Sequence, residues 1–252
     1  GWEYETGEGG AVFVLHGHDA WTILDSWRAR RQYSWGAGEK NVFLILEFIF
    51  GRAGLEFTSL SNSSTMTSLH PSFTIHPGEL GRTAVRRLLA MVPDLVMVSG
   101  EFGYVRNPLA TDPAEYDYGV DHVILRGRYG ALSRDFNRVQ VFGDGVMVDR
   151  FDWGSIDDLY DRLLQVHDLN LSSVATAEER ADALQRNAAL GEEGGEILVP
   201  VNCGQELYDV VAITDAGAGL SSARRRVMGM ALRYSVDGRS PAYEQRIRLG
   251  AV

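Results

Sequence analysis

Six histidines, a single cysteine and a few paired carboxylates are the side chains of this sequence best suited to chemistry. The string LHGHD places His16, His18 and Asp19 together, and HPSFTIHPGE carries His70, His76 and Glu79. Imidazole and carboxylate are the ligands that first-row divalent metals accept. On a strand, His16 and His18 would share a face. Neither string matches a zincin motif or another familiar ligand spacing, and both sit at loop edges, where solvated histidine is the plainer reading. No metal or other cofactor is expected. Cys203 with a histidine would make a thiol nucleophile and its base. Such a thiol needs a helix N-terminus or a cationic neighbour to lower its pKa. Gly204 and Glu206 follow it instead, and the next element reads as a strand, so Cys203 is expected to be a corner residue.

The carboxylate pairs Asp149/Asp152, Asp157/Asp158 and Glu192/Glu193 would suit general acid–base work or glycoside hydrolysis if the fold spaced them correctly. Adjacent acids at helix starts and turns more often serve as caps or solvated faces. The sequence contains no GxSxG, no phosphate-cradling glycine loop and no dinucleotide fingerprint. Short glycosylation sequons occur at Asn62 and Asn170 and are short enough to arise by chance. Arg224, Arg225 and Arg226 form a basic triplet on an expected strand, so alternate members point to opposite faces. They suit a subunit contact or an anion; the plainer reading is an edge strand guarded by charge. Trp21 and Trp27 read as core, although exposed tryptophans also anchor interfaces. No residue is expected to be catalytic, and the protein is not expected to be an enzyme.

These residues must be positioned by a chain of 252 residues, enough for one large domain or two small ones. A hydrophobic content of 45% supports a real core, while a net charge of −10 argues against a general nucleic-acid binder. One cysteine can form no internal disulfide and cannot build a zinc site alone. The richest apolar run, Val42 to Phe50, is interrupted by Glu47 and is too short to span a bilayer. No signal peptide is visible. The chain starts at Gly1 rather than Met, which points to a processed or trimmed start.

The opening GWEYETGEGG reads as loose, and Ala11–Leu15 as a short strand. Helical spacing predicts a helix from Asp19 with Arg28, Arg30 and Arg31 in its final turns, and a buried helix over Val42–Phe50 stopped by Gly51 and Gly54. A strand is expected near Leu55–Thr58, then a serine-rich loop. The next helix begins near Pro77 and Glu79 and ends at Pro93, and Leu95–Arg106 is expected to be a hairpin around Ser99–Gly100. A Pro-containing loop at about 107–119 is the soft boundary between residues 1–115 and 116–252. Beyond it come the strands HVILRG, NRVQVFG and GVMVDRF. Helices are expected at about 155–166, opened by Ser155 and Asp158, and at about 176–190, opened by Thr176 and Glu179. The strands GEILVP, LYDVVAIT, RRRVMGMALRYS and YEQRIRLGAV follow, the last two joined by the turn VDGRSP. The expected fold class is α+β: a C-terminal antiparallel β-barrel or sandwich with one or two packed helices, preceded by a mixed α/β module.

The order of these C-terminal elements carries a resemblance. NRVQVFG (Asn137–Gly143), the helical segment HDLNLSSVATAEERADALQRNA, the polar corner entering LYDVVAITD, and the final RRRVMGMALRYS and YEQRIRLGAV resemble the tail hub proteins of bacteriophages and phage-derived contractile machines, including late-control-D-like hubs. The weaker string FTIHPGELGRTAVRRLLAMVPDL resembles the helical insertion that such hubs carry between barrels. The likeness covers about Asp121 to Val252. It implies a virion structural protein, made in the bacterial cytoplasm, that forms a symmetric homo-oligomeric ring, a trimer by analogy. Such a ring links a tail tube to a tip or spike and lets DNA pass without specific binding. The sequence departs from the family in showing one barrel, where hubs carry two. Arg224, Arg225, Arg226 and the turn from Asp144 to Asp149 are the expected subunit contacts. Two other classes compete: a hydrolase, either carbohydrate-active through an acid pair or metal-dependent through His16, His18, His70 and His76, and a glycan- or receptor-binding module using exposed tryptophan or tyrosine.

Overall fold

The apolar run at Val42 becomes the helix around which the first half of the chain packs. The structure is a computed structural model and describes residues 1–7, 10–130, 135–169, 171–190, 192–235 and 242–252. It divides into two units, Gly1–Ala90 with Asp94–Arg106, and Met91–Pro93 with Asn107–Val252.

The first unit opens with a hairpin of β1 (Trp2–Gly7) and β2 (Gly10–Leu15), in which Trp2 pairs with Leu15 and Tyr4 with Phe13. Trp2–Gly7 of the opening segment therefore forms a strand where a loose segment was expected, residues 8 and 9 lying outside the described residues, and every residue of both strands is exposed. Helix α1 (Trp21–Ser26) is shorter than its spacing suggests. Beyond it the chain extends because its backbone finds other partners: Ala29 N–H donates to Glu79 O, and Gly78 N–H to Ala29 O. Arg28, Arg30 and Arg31 consequently lie outside the helix.

Strand β3 (Tyr33–Trp35) leads to α2 (Val42–Ala53), capped by Asn41 and closed by Gly54 in the left-handed conformation. Gly51 lies inside this helix and does not end it. Val42, Ile45, Leu46, Ile49 and Phe50 are all buried. β4 (Glu56–Ser59), α3 (Ser64–Ser68), β5 (Phe73–Ile75), α4 (Gly81–Leu89), β6 (Leu95–Ser99) and β7 (Phe102–Arg106) complete the unit. β6 and β7 form the hairpin expected around Ser99–Gly100, and β4 pairs with β7 in parallel. A Cβ at Gly103 would run into the rings of Phe50 and Phe57, so only glycine lets this sheet approach α2. The buried Asp94 carboxylate accepts from Ser63 N at 2.7 Å and from Ser63 Oγ at 2.5 Å, fixing the residue that caps α3.

The second unit contains two sheets. β8 (Ala114–Tyr118) and β9 (Arg126–Tyr129) lie at opposite edges of a six-stranded sheet completed later in the chain. Between β9 and the return to that sheet comes an inserted α/β layer. It consists of β10 (Arg138–Phe142), β11 (Met147–Phe151), α5 (Trp153–Leu159), β12 (Leu163–His167) and α6 (Val174–Leu190). NRVQVFG and GVMVDRF thus form a separate three-stranded sheet, β11-β10-β12, and are not barrel strands. Val139, Val141 and Val148 meet Leu171, Ala177 and Ala181 in its core.

The helix expected over 155–166 ends at Leu159, and Leu163–His167 pairs with β10 in parallel. The cause is Asn137, which is almost wholly buried: it donates to Tyr160 O at 2.7 Å and accepts from Arg162 N at 2.8 Å. These bonds hold the reversal open. Asp152, not Ser155, caps α5, and the Ser173 hydroxyl accepts the Thr176 N–H at the start of α6.

β13 (Glu193–Pro200), β14 (Val210–Asp215), β15 (Leu220–Ser235) and β16 (Ala242–Gly250) return to the first sheet, in the order β8-β14-β15-β16-β13-β9. The β15–β16 pair is present, while its turn VDGRSP lies outside the described residues. All neighbours are antiparallel except β8 with β14. The sheet curls into a half-barrel, so that Tyr129 of β9 donates to Asp215 at the end of β14 across 3.0 Å. Ile197, Val199, Val211, Ile213, Val227, Ile247 and Leu249 line the inside with Tyr118. The fold is α+β, with a curled mixed sheet in place of a wholly antiparallel barrel. None of the described helices is long and apolar enough to cross a membrane.

Candidate assembly interface

The arginine triplet splits as strand alternation requires, but on an inner strand. β15 lies between β14 and β16, so the guarded-edge reading does not hold. Arg226 is completely buried. Its guanidinium donates to Asp112 Oδ2 at 3.0 Å, Tyr208 O at 2.7 Å and Leu109 O at 2.8 Å. Arg224, exposed, donates to the Asp112 carbonyl, and Arg225 to the Arg224 carbonyl at 2.8 Å. Arg224 and Arg226 thereby clamp the Pro-containing loop after Asn107 onto the sheet. Arg226 is enclosed by its own chain and is not offered to a neighbour. Asp144 is exposed in the β10–β11 turn. Asp149 is bound by Arg138 at 2.6 Å and Gln140 at 2.8 Å. Arg138 holds the Asp149 carboxyl below the usual carboxylate range, against the upward push of its partial burial.

A basic surface that the sequence reading overlooked lies on the outer face of the half-barrel. Register places Arg128, Glu196 and Arg248 in one row across β9, β13 and β16, and Arg126, Leu198 and Arg246 in the next. All four arginines are exposed. Glu196 is the one carboxylate in these rows, and it stands 4.0 Å from Arg246. A cavity of about 310 Å³ opens among Arg128, Tyr129, Gly130, Gly195, Glu196 and Arg248. The signal was present in RGRY and QRIRL, where arginines recur at every second position and so must share a face.

Beside it, the free edge of β9 borders a wider cleft of about 720 Å³, lined by 119–121, 123–127 and 214–217. Val120, Val123 and Leu125 are 66%, 60% and 55% exposed there. Among the described residues no strand pairs with the outer edge of β9, so the six-stranded sheet ends there with arginine on one face and, beside it, a cleft that mixes exposed Val120, Val123 and Leu125 with Asp121 and Asp215.

The residues considered for catalysis are held in other arrangements. His16 pairs with Glu3 at 3.2 Å, His70 Nδ1 lies 2.8 Å from Ser68 O, and Glu79 binds Arg87 at 2.7 Å. Among the described residues, no three His, Cys, Asp or Glu side chains are grouped to hold a metal. Of the acid pairs, Asp149 is salt-bridged, Asp152 caps α5, Asp157 and Asp158 are solvated, and Glu192 is buried while the side chain of Glu193 lies outside the description. Trp21 packs edge-on against Phe50, and Trp27 against Gly81. Asn62 bonds Ser59 and Ser63, and Asn170 lies outside the described residues.

Cys203 is exposed in a turn. Its neighbours are tied inward: Asn202 donates to Tyr118 OH at 3.3 Å, Tyr118 OH to Gln205 at 3.1 Å, and Gln205 to Asp209 at 2.9 Å. Burial raises the Tyr118 hydroxyl above its usual range. This is a built corner, with the thiol on its outside.

No protein-family model and no curated protein matches the sequence. Solved structures do match the fold. The tail protein from Neisseria meningitidis MC58 superposes with a TM-score of 0.75 at 15% identity, over 99% of this chain and 78% of that one. The 43 kDa tail protein of prophage MuSo2 from Shewanella oneidensis gives 0.68 at 14% identity, over 99% and 74%. Prophage tail protein gp18 from Listeria monocytogenes EGD-e gives 0.60 at 10% identity, over 98% and 74%. The chain thus has the fold of phage tail proteins.

Proposed function

We propose that the protein is a structural, non-enzymatic component of a phage or phage-like tail. It acts as a baseplate or tail-hub protein whose copies form a symmetric ring, a trimer by analogy, linking the tail tube to a tip or spike. The observation that carries this reading is the fold shared with three tail proteins over nearly the whole chain. The half-barrel with an unpaired edge supports it, because an open edge is a template for a neighbouring chain. Arg224, Arg225 and Asp144 are proposed as further contact residues away from that edge, Arg224 and Asp144 being exposed and Arg225 half-buried; Arg226 and Asp149 act behind them by fixing the loop and turn.

An axial passage for DNA must not hold phosphates, and a net charge of −10 is compatible with that need. The four-arginine face belongs on the outside of the ring, away from the passage. The virion tail is the site of action. Mass measurement in solution over a range of concentrations, with electron microscopy of the particles, tests this reading. A closed ring of defined stoichiometry is expected. A chain that stays monomeric at high concentration overturns it.

A further inference from the structure

The β1–β2 hairpin is a folded element with no core of its own. Trp2 is 68% exposed, Phe13 61% and Leu15 73%. Trp2 and Phe13 stack on each other at 6.2 Å. Register sorts the hairpin into two faces. Trp2, Tyr4, Phe13 and Leu15 share one; Glu3, Glu5, Val12 and Val14 share the other. A two-stranded hairpin is marginal alone in water, and a surface this apolar marks a contact.

The edge of β9 has the complementary pattern. Arg126 and Arg128 are two residues apart, as are Glu3 and Glu5; Arg128 stands opposite Glu196 on β13, but among the described residues neither arginine is in an ion pair, and of the two acids only Glu3 is paired, with exposed His16. A strand laid along β9 with its acids opposite these arginines would form favourable cross-strand pairs. It would turn its other face, with Trp2 and Tyr4, toward the cleft where Val120, Val123 and Leu125 are exposed. Charge and apolarity match together in one register class, since a slip of one residue would send the acids toward a cleft lined by Val123, Leu125, Asp121 and Asp215.

We propose that β1 of one copy adds to the free edge of β9 in a second copy of this chain, extending the half-barrel across the subunit boundary. The contact is head-to-tail, and head-to-tail contacts are the kind that close rings. The inference rests on the assembling role proposed above and specifies its contact.

The test uses the full chain carrying Cys203→Ser, so that introduced cysteines are the only thiols. Glu3→Cys or Glu5→Cys chains are mixed with Arg128→Cys chains under mild oxidation. The expected result is a disulfide-linked pair of different chains for one of the two combinations, which also gives the strand direction. In parallel, Glu3→Arg/Glu5→Arg should weaken association by about tenfold or more, and adding Arg126→Glu/Arg128→Glu to the same chain should restore it. A ring that forms regardless of arm charge, with neither pair linking, overturns the arm contact and leaves the ring standing. Internal linkage of a Glu3→Cys/Arg128→Cys or Glu5→Cys/Arg128→Cys chain, without linkage between chains, overturns the second copy as occupant. A parent chain that remains monomeric defeats the assembly reading itself.

Discussion

Arg226 carries its charge into the fold because its two terminal nitrogens meet oxygens of Leu109 and Asp112 in the loop it anchors and of Tyr208. Removing one partner of such a pair leaves the rest buried without compensation. Arg226→Ala is therefore expected to cost about 3 kcal/mol, measured as a fall in the urea midpoint; Arg226→Lys should recover part of it. Tyr129 makes a pH-dependent contribution. Burial first, then the Asp215 hydrogen bond and charge, push its hydroxyl from 10.0 up to about 12. The folded state keeps this proton longer than the unfolded one. Its contribution is thus full below the unfolded pKa of about 10 and is lost as pH rises through about 12. Urea titrations across this range should show stability falling, and Tyr129→Phe should fall less steeply. Burial raises Tyr208 and Tyr118 in the same direction, so some slope will remain. Cys203→Ser is expected to leave the melting temperature unchanged, because the thiol lies outside the bonded corner.

At the scale of elements, periodicity misled most where a side chain elsewhere in the sequence overrode it. Leu159, Leu163 and the residues around them carry a helical stripe, yet the clamp from Asn137 reverses the chain and turns Leu163–His167 into a strand. Asn137→Ala should loosen the inserted layer by about 2 kcal/mol, the order of cost when buried polar groups lose their partner. Hydrogen exchange would show it as faster exchange confined to β10, β12 and α6. The hairpin of β6 and β7, by contrast, was readable from two apolar runs around Ser99–Gly100, because its determinants are adjacent in sequence.

At the scale of the molecule, charge is the property that composition states directly. A chain of net charge −10 should not retard duplex DNA at physiological salt up to about 100 µM protein in a mobility-shift assay. Retardation abolished by Arg126→Glu/Arg128→Glu would instead assign the basic face to phosphate and remove it from the outside of the ring. The acidic total concealed this face, because the sum over residues does not say which of them share a surface.

The sequence alone determined the α+β class, the buried helix at Val42, the closing pair of strands and the absence of a recognisable catalytic motif, since these follow from local periodicity and residue type. It also held the alternating arginines of RGR and RIR. Only the tertiary structure decided that β9 and β16 lie one strand apart, so that four arginines become one face. It also decided that NRVQVFG leaves the half-barrel for a layer of its own, and that Arg226 turns inward to a loop more than a hundred residues earlier in the chain. Each of these depends on which strands pair across long separations. That choice is set by the fit of whole faces, and no window of neighbouring residues contains it.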